Sequence, residues 1–334
     1  MEQVLAALRA AGEETRLRLL ALCARADLTV SDLTGILGQS QPRVSRHLKV
    51  LCDSGLLTRL REGSWVFYRL ALDGPAAEIG RRLVALLPAE DAALLRDRAR
   101  MAEVQDARAV SAAAYFRDNA DQWDAIRSLH VDEAEVERAV VDALAVGGQD
   151  RSLGDLVDIG TGTGRMLTLL GPWAERAVGV DQSREMLAVA RSALDAAGLR
   201  HALVRLGDFY ALPLDDDSAD TVVIHQVLHF AERPAAAVAE AGRLLRPGGR
   251  LTIVDFAPHD LETLREEHSH RRLGFSREEV AEWCAQAGLA IRRVRSLPGK
   301  PLTVYLWLAE RPAASPESAA AARADGALET GDPR

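Results

Sequence analysis

The chain has 334 residues, with 41 lysine and arginine side chains against 49 aspartates and glutamates, a formal charge of −8 and 48% hydrophobic content. That length points to two or three domains of an ordinary globular kind, and no apolar run reaches membrane-spanning length, which excludes a membrane protein of helical type. The acid-bearing N-terminus does not read as a signal peptide, and three dispersed cysteines (Cys23, Cys52, Cys284) suit neither a disulfide framework nor a zinc cluster, so a reducing cytoplasm is expected.

The first seventy residues read as four helices and a hairpin. "TRLRLLALCA" has helical apolar spacing, and "TVSDLTGIL" follows with Thr29 or Ser31 as its N-cap. In "SQPRVSRHLKVL", Val44, Leu48 and Leu51 fall at i, i+4 and i+7, a stripe that meets a core. Pro42 is tolerated in the first turn, and Gly55 ends the helix. Arg46 and Lys49 point away from the stripe, with Ser45 beside them and Arg43 and His47 on the flanks. "LLTRLREGSWVFYRL" is a pair of short strands turning at Glu62-Gly63-Ser64. A helix–turn–helix followed by a hairpin is a winged helix. Between Gln39 and Leu70, six cations (Arg43, Arg46, Lys49, Arg59, Arg61, Arg69) stand against Asp53 and Glu62, a local balance of +4. Nucleic-acid binding depends on such a local field, whatever the total charge.

From Gly74 to Gly148 the text is helical without a strand signal. "IGRRLVALL" and "DAALLRDRARMAEVQ" predict helices able to pair two chains, and "AAYFRDNADQWDAIRSLH" and "EAEVERAVVDAL" continue as helices. From Ser152 strands and helices alternate, with strands at "DLVDIG", "RAVGVD", "ALVRLGD", "TVVIH", "RLTIVDF", "AIRRVRSL" and "LTVYLWLAE". Repeated βα units imply a mostly parallel, doubly wound α/β sheet with helices on both faces. The final stretch after Glu310 is small, polar and Pro-punctuated, and reads as disordered.

"LVDIGTGTGRM" sets Gly160, Gly162 and Gly164 between a strand and a helix, where backbone can approach a ligand and helix amides face it. The dinucleotide fingerprint needs glycine at 165, where Arg165 stands, and no P-loop lysine follows. Asp158 precedes the loop, Asp181 ends the second strand, and Asp208 ends the third. An acid–glycine loop, a ribose acid and an adenine acid at successive strand ends describe a pocket for a nucleoside with a cationic, phosphate-free tail.

These residues, with "GVDQSREML", "GDFYALPLDDDSADTVVIHQVLHF" and "RLLRPGGRLTIVDF", resemble a class I S-adenosylmethionine-dependent methyltransferase from about Tyr115 to Glu310. The resemblance implies a Rossmann-like sheet and S-adenosylmethionine or S-adenosylhomocysteine as ligand. It assigns Asp158, Gly160, Gly162 and Gly164 to the methionine part, Asp181 to the ribose and Asp208 with Phe209 to the adenine, and it counts Gln182 and Met186 among the cofactor-binding residues. His225 lines the sulfonium side, and Tyr115 and Trp123 contribute to a lid. Methyl transfer from an activated sulfonium needs alignment more than a catalytic side chain, and the sequence singles out no catalytic residue. His225 with His229, or His268 with His270, offers a general base or a metal ligand. Without clustered cysteines or carboxylates nearby, no metal is expected.

"SQPRVSRHLKVLCDSGLLTRLREGSWVFYRL" resembles the ArsR-type winged-helix repressors from about Leu5 to Leu87. That resemblance implies a homodimer on an inverted-repeat operator in double-stranded DNA, with Gln41, Arg43, Ser45, Arg46, His47 and Lys49 on the duplex and Arg61 on phosphate from the wing. The expected division is residues 1–100 for DNA binding and dimerisation, 101–150 for linker and lid helices, 151–310 for the methyltransferase domain and 311–334 for the tail. Two functional readings stand side by side. One is a DNA-binding regulator responsive to the nucleoside; the other is a small-molecule methyltransferase whose winged helix only dimerises.

Overall fold

A computed structural model describes residues 1–62, 65–71, 74–118, 132–145, 152–264 and 270–313. The chain divides into two compact units: Met1–Ala120 with Thr161–Thr168 and Val178–Leu206, and Asp121–Gly160 with Leu169–Ala177 and Gly207–Arg334.

The first unit opens with α1 (Glu2–Ala11), α2 (Glu14–Cys23), β1 (Leu28–Thr29), α3 (Val30–Leu37), α4 (Gln41–Asp53), β2 (Leu57–Glu62) and β3 (Trp65–Leu70). α5 (Ala77–Ala85) and α6 (Ala92–Asp118) follow, and α6 runs unbroken across residue 100. Leu19, Leu20, Leu33, Ile36, Val44, Leu48 and Leu51 are buried in one cluster, each leucine contributing about 1.5–3 kcal/mol of transfer free energy. Thr29 is the N-cap of α3: its hydroxyl accepts from Asp32 N while the Asp32 carboxylate accepts from Thr29 N, a reciprocal capping box. α4 stops because Gly55 takes φ 74°, which lets Leu56 N donate back to Leu51 O at 3.0 Å. The three-stranded sheet has the order β1–β3–β2, with β2 and β3 antiparallel from Leu57 opposite Leu70 to Glu62 opposite Trp65. β1, two residues paired with Phe67 and Tyr68, was not expected from the sequence, since so short a strand carries no periodicity.

α7 (Glu133–Leu144) precedes β4 (Gly154–Ile159), α8 (Arg165–Leu170), β5 (Ala174–Asp181), α9 (Arg184–Ala196), β6 (Ala202–Leu206) and β7 (Ala219–His225). α10 (Pro234–Leu244), β8 (Leu245–Phe256), α11 (Arg277–Gln286), β9 (Ala290–Leu297) and β10 (Val304–Glu310) complete the fold. The seven strands lie in the order β6–β5–β4–β7–β8–β10–β9. β7 is parallel to both β4 and β8, and β10 is antiparallel to β8 and β9, so this is a Rossmann-like, mostly parallel sheet with one reversed strand near its edge. Val222, Val223 and Ile224 are buried on both faces of β7, which is why this strand reads as a continuous apolar run. Among the described residues no helix is long and apolar enough to cross a membrane.

Candidate nucleic-acid interface and cofactor loop

α4 separates its faces as the spacing dictates. Val44, Leu48 and Leu51 are buried at 0–1% exposure, while Gln41, Arg43, Arg46 and Lys49 are exposed and Ser45 is half-buried. Lys49 Nζ donates to Asp53 Oδ2 at 2.7 Å, but both side chains are largely solvated, and such i,i+4 pairs yield readily to a stronger anion. His47 is half-buried: its Nδ1 lies 3.6 Å from Glu13 Oε2, and Glu13 in turn caps α2 by accepting from Arg16 N. Burial pushes the Glu13 carboxyl up, but the hydrogen bonds from Arg16 and Thr15 and the charge of His47 outweigh it and hold it below the ordinary range. Arg61 is exposed on β2, whereas Gly63 and Ser64 at the hairpin turn lie outside the described residues.

The loop after β4 is set by backbone conformation. Gly160, Gly162 and Gly164 take φ of 71°, 51° and 78°. A Cβ on Gly160 would lie 2.5 Å from Val227 Cγ2, and one on Gly164 would lie 3.0 Å from Ala190 Cβ, so size excludes a side chain as firmly as conformation does. Asp158 is buried on β4, opposite Val223 of β7. Asp181, half-buried at the end of β5, accepts from Gly162 N at 2.9 Å through Oδ2 and from Ser183 N at 2.8 Å through Oδ1. Gln182 is exposed and Met186 half-buried in the first turn of α9. Asp208 stands two residues beyond β6, exposed, and its Oδ1 accepts from Tyr210 N. The Phe209 ring meets that of Tyr210 edge-on at 4.5 Å.

His225 ends β7 and is followed by Gln226 at φ 51°, a left-handed conformation uncommon for a side-chain-bearing residue and concentrated at functional turns. Burial drives the His225 imidazole down to about 4, against the opposing charges of Asp255 and Glu137, so the ring is neutral at pH 7. Its Nε2 is buried without a hydrogen-bond partner. His229 Nδ1 lies 2.9 Å from Asp255 Oδ1, and Asp255 Oδ2 accepts from Leu228 N, which fixes the turn after β7 onto β8. The His229 ring stacks on that of His270 at 4.1 Å. Asp255 escaped the sequence reading, though a carboxylate in the otherwise apolar "LTIVDF" was the available signal. Tyr115 falls in the backbone of α6, with its side chain outside the described residues; Trp123 and His268 lie outside them altogether.

Residues 13–59 match the family model for the bacterial regulatory protein, arsR family, and residues 157–253 match that for a methyltransferase domain. The chain is 37% identical over 148 residues to an uncharacterized methyltransferase of Mycobacterium tuberculosis (strain ATCC 25618 / H37Rv), covering 44% of this chain and 53% of that protein. Over 65 residues it is 48% identical to the arsenical resistance operon repressor of Escherichia coli (strain K12), covering 19% of this chain and 56% of that protein. The solved YcgJ protein of Bacillus subtilis superposes with a TM-score of 0.47 at 19% identity, over 55% of this chain and 100% of that chain. The chain spans about half the length of the curated relatives it matches.

Proposed function

From a chain that joins an ArsR-type helix–turn–helix to a methyltransferase domain, we propose a cytoplasmic, homodimeric regulator whose affinity for an inverted-repeat operator is set by S-adenosylmethionine or S-adenosylhomocysteine. In this reading residues 1–100 bind DNA and dimerise, and residues 151–310 hold the nucleoside. The observation that carries it is the exposed Gln41, Arg43, Arg46 and Lys49 over a fully buried Val44–Leu48–Leu51 stripe. Arg43, Arg46 and Arg61 neutralise phosphates and fix the register, while Gln41 and Ser45 reach base edges. Val4, Leu5 and Leu8 are exposed on α1 beside the exposed N-cap Met1, an apolar stripe that supports pairing of two chains.

The residues suit the nucleoside. Asp181 is a half-buried acceptor at the end of β5, as a ribose diol requires, and Asp208 is an accessible acceptor for an exocyclic amine. Asp158 lies buried on the strand that leads into the left-handed glycine loop. S-adenosylmethionine supplies an activated methyl group on a cationic sulfur when bound. His225, kept neutral by burial, adds no like charge beside that cation. A ligand can shift operator affinity only by binding the two arrangements of the paired winged helices unequally.

The test is DNA selection with the purified chain, followed by fluorescence anisotropy at low salt with and without each nucleoside. Salt-sensitive retention that shifts with nucleoside, and that Arg46→Ala with Lys49→Ala weakens by roughly tenfold or more while cofactor affinity is unchanged, is the expected result. No retention by the parent chain at low salt overturns the regulator and leaves a methyltransferase whose winged helix only dimerises.

A further inference from the structure

The first unit contains a cavity of about 200 Å³ far in sequence from both α4 and the glycine loop. Its charged walls are Arg25, Asp27, Arg69, Arg191, Asp195 and Arg200, four guanidiniums against two carboxylates. Arginine is abundant in this chain, so number alone decides little; the way these side chains are held decides more. Arg69 is only 8% exposed. Its Nη2 donates to the Arg200 carbonyl at 3.0 Å, and its Nε stands 3.4 Å from Asp27 Oδ1. Its Nη1 is buried with no hydrogen-bond partner. A buried cationic donor without an acceptor carries a desolvation penalty that an anion would remove. Arg191, equally buried, is clamped over the Phe67 ring at 4.1 Å from its centroid.

We propose that this cavity binds a small phosphate-type dianion, with Arg69 Nη1 as its buried donor and Arg25 and Arg200 closing the cradle. Guanidinium groups suit tetrahedral oxyanions because their planar N–H donors engage two oxygens at once. Burial, and then the like charges of Arg98 and Arg200, depress the Arg25 guanidinium below its ordinary range. Arginine stays cationic in proteins, so Arg25 keeps its charge at the cavity despite its partial burial. Asp27 is engaged on the Nε side of Arg69, opposite the orphaned nitrogen's need. Arg69 lies on β3, the return strand of the hairpin, opposite Thr58 of β2.

Inorganic phosphate is the probe, titrated by calorimetry into the full chain against sodium chloride at matched ionic strength. The expected result is saturable one-site binding that chloride does not reproduce. Arg25→Glu and Arg200→Glu, both at positions with solvent access and with the Arg200 carbonyl retained, should each weaken it by about tenfold or more. Arg69→Lys, which keeps the charge but removes the Nη1 donor, should weaken it as well, with urea unfolding verifying that each variant is folded. Absence of saturable phosphate heat, or equal affinity in the folded Arg25→Glu and Arg200→Glu chains, overturns the site. None of these outcomes depends on nucleoside response, so failure here is distinguishable from failure of the regulator.

Discussion

α4 and the loop after β4 acquire their properties by opposite routes. α4 is a regular helix whose buried side is fixed by three apolar residues, and its candidate function resides in whatever is left on the other side. The loop has no free side: Gly160 and Gly164 are held against Val227 and Ala190, and its candidate function resides in the backbone itself. Substitution therefore divides the two regions sharply. Exposed positions of α4 tolerate change in stability while losing binding, whereas the loop loses fold and binding together.

The most severe way to probe that contrast is Gly160→Ala. The new Cβ meets Val227 and the residue keeps φ 71°, so we expect about 2–4 kcal/mol of lost stability in urea unfolding, with cofactor binding abolished. Val227→Ala added to it should recover part of the loss, the packing share, and leave the conformational share. A Gly160→Ala chain as stable as the parent would erase the contrast.

The next effect concerns His225 at the end of β7. Its folded value of about 4 lies below the unfolded 6.5, so between those values the unfolded chain takes up a proton that the folded chain refuses. Stability is then fully present above about 6.5 and falls as the pH drops toward 4, with a slope of at most about 1.4 kcal/mol per pH unit from this group. Urea midpoints for the parent and His225→Gln, compared at pH 7 and pH 5, should converge at the lower pH; parallel curves would show that the imidazole is not desolvated.

Smaller changes sharpen the description of the helix–turn–helix. Thr29→Ala removes the hydroxyl half of the capping box and should cost about 1 kcal/mol in thermal unfolding, leaving α4 and DNA affinity intact. Asp53→Ala should alter stability by less than about 0.5 kcal/mol, because its pair with Lys49 is solvated. DNA affinity should hold or rise once Lys49 loses its competing carboxylate, and a fall measured by anisotropy would show that the pair positions Lys49 for phosphate.

Much of this architecture is legible in residue order because it depends on local periodicity and turn chemistry. The i, i+4, i+7 stripe of Val44, Leu48 and Leu51 fixed the orientation of α4, and the strand–glycine–helix pattern located the loop with Asp158 and Asp181 at its margins. Local text left Thr29 and Ser31 as alternatives for the cap, and the reciprocal bond to Asp32 selected Thr29. Tertiary contact alone paired His229 with Asp255, turned His47 toward Glu13, and set Val227 where a Gly160 side chain would stand. It also brought Arg69 to the carbonyl of Arg200 across 131 residues of chain. Periodicity reports which side of an element avoids water, a property each segment carries by itself. Which donor meets which acceptor depends on how distant segments pack, and no local pattern encodes that distance.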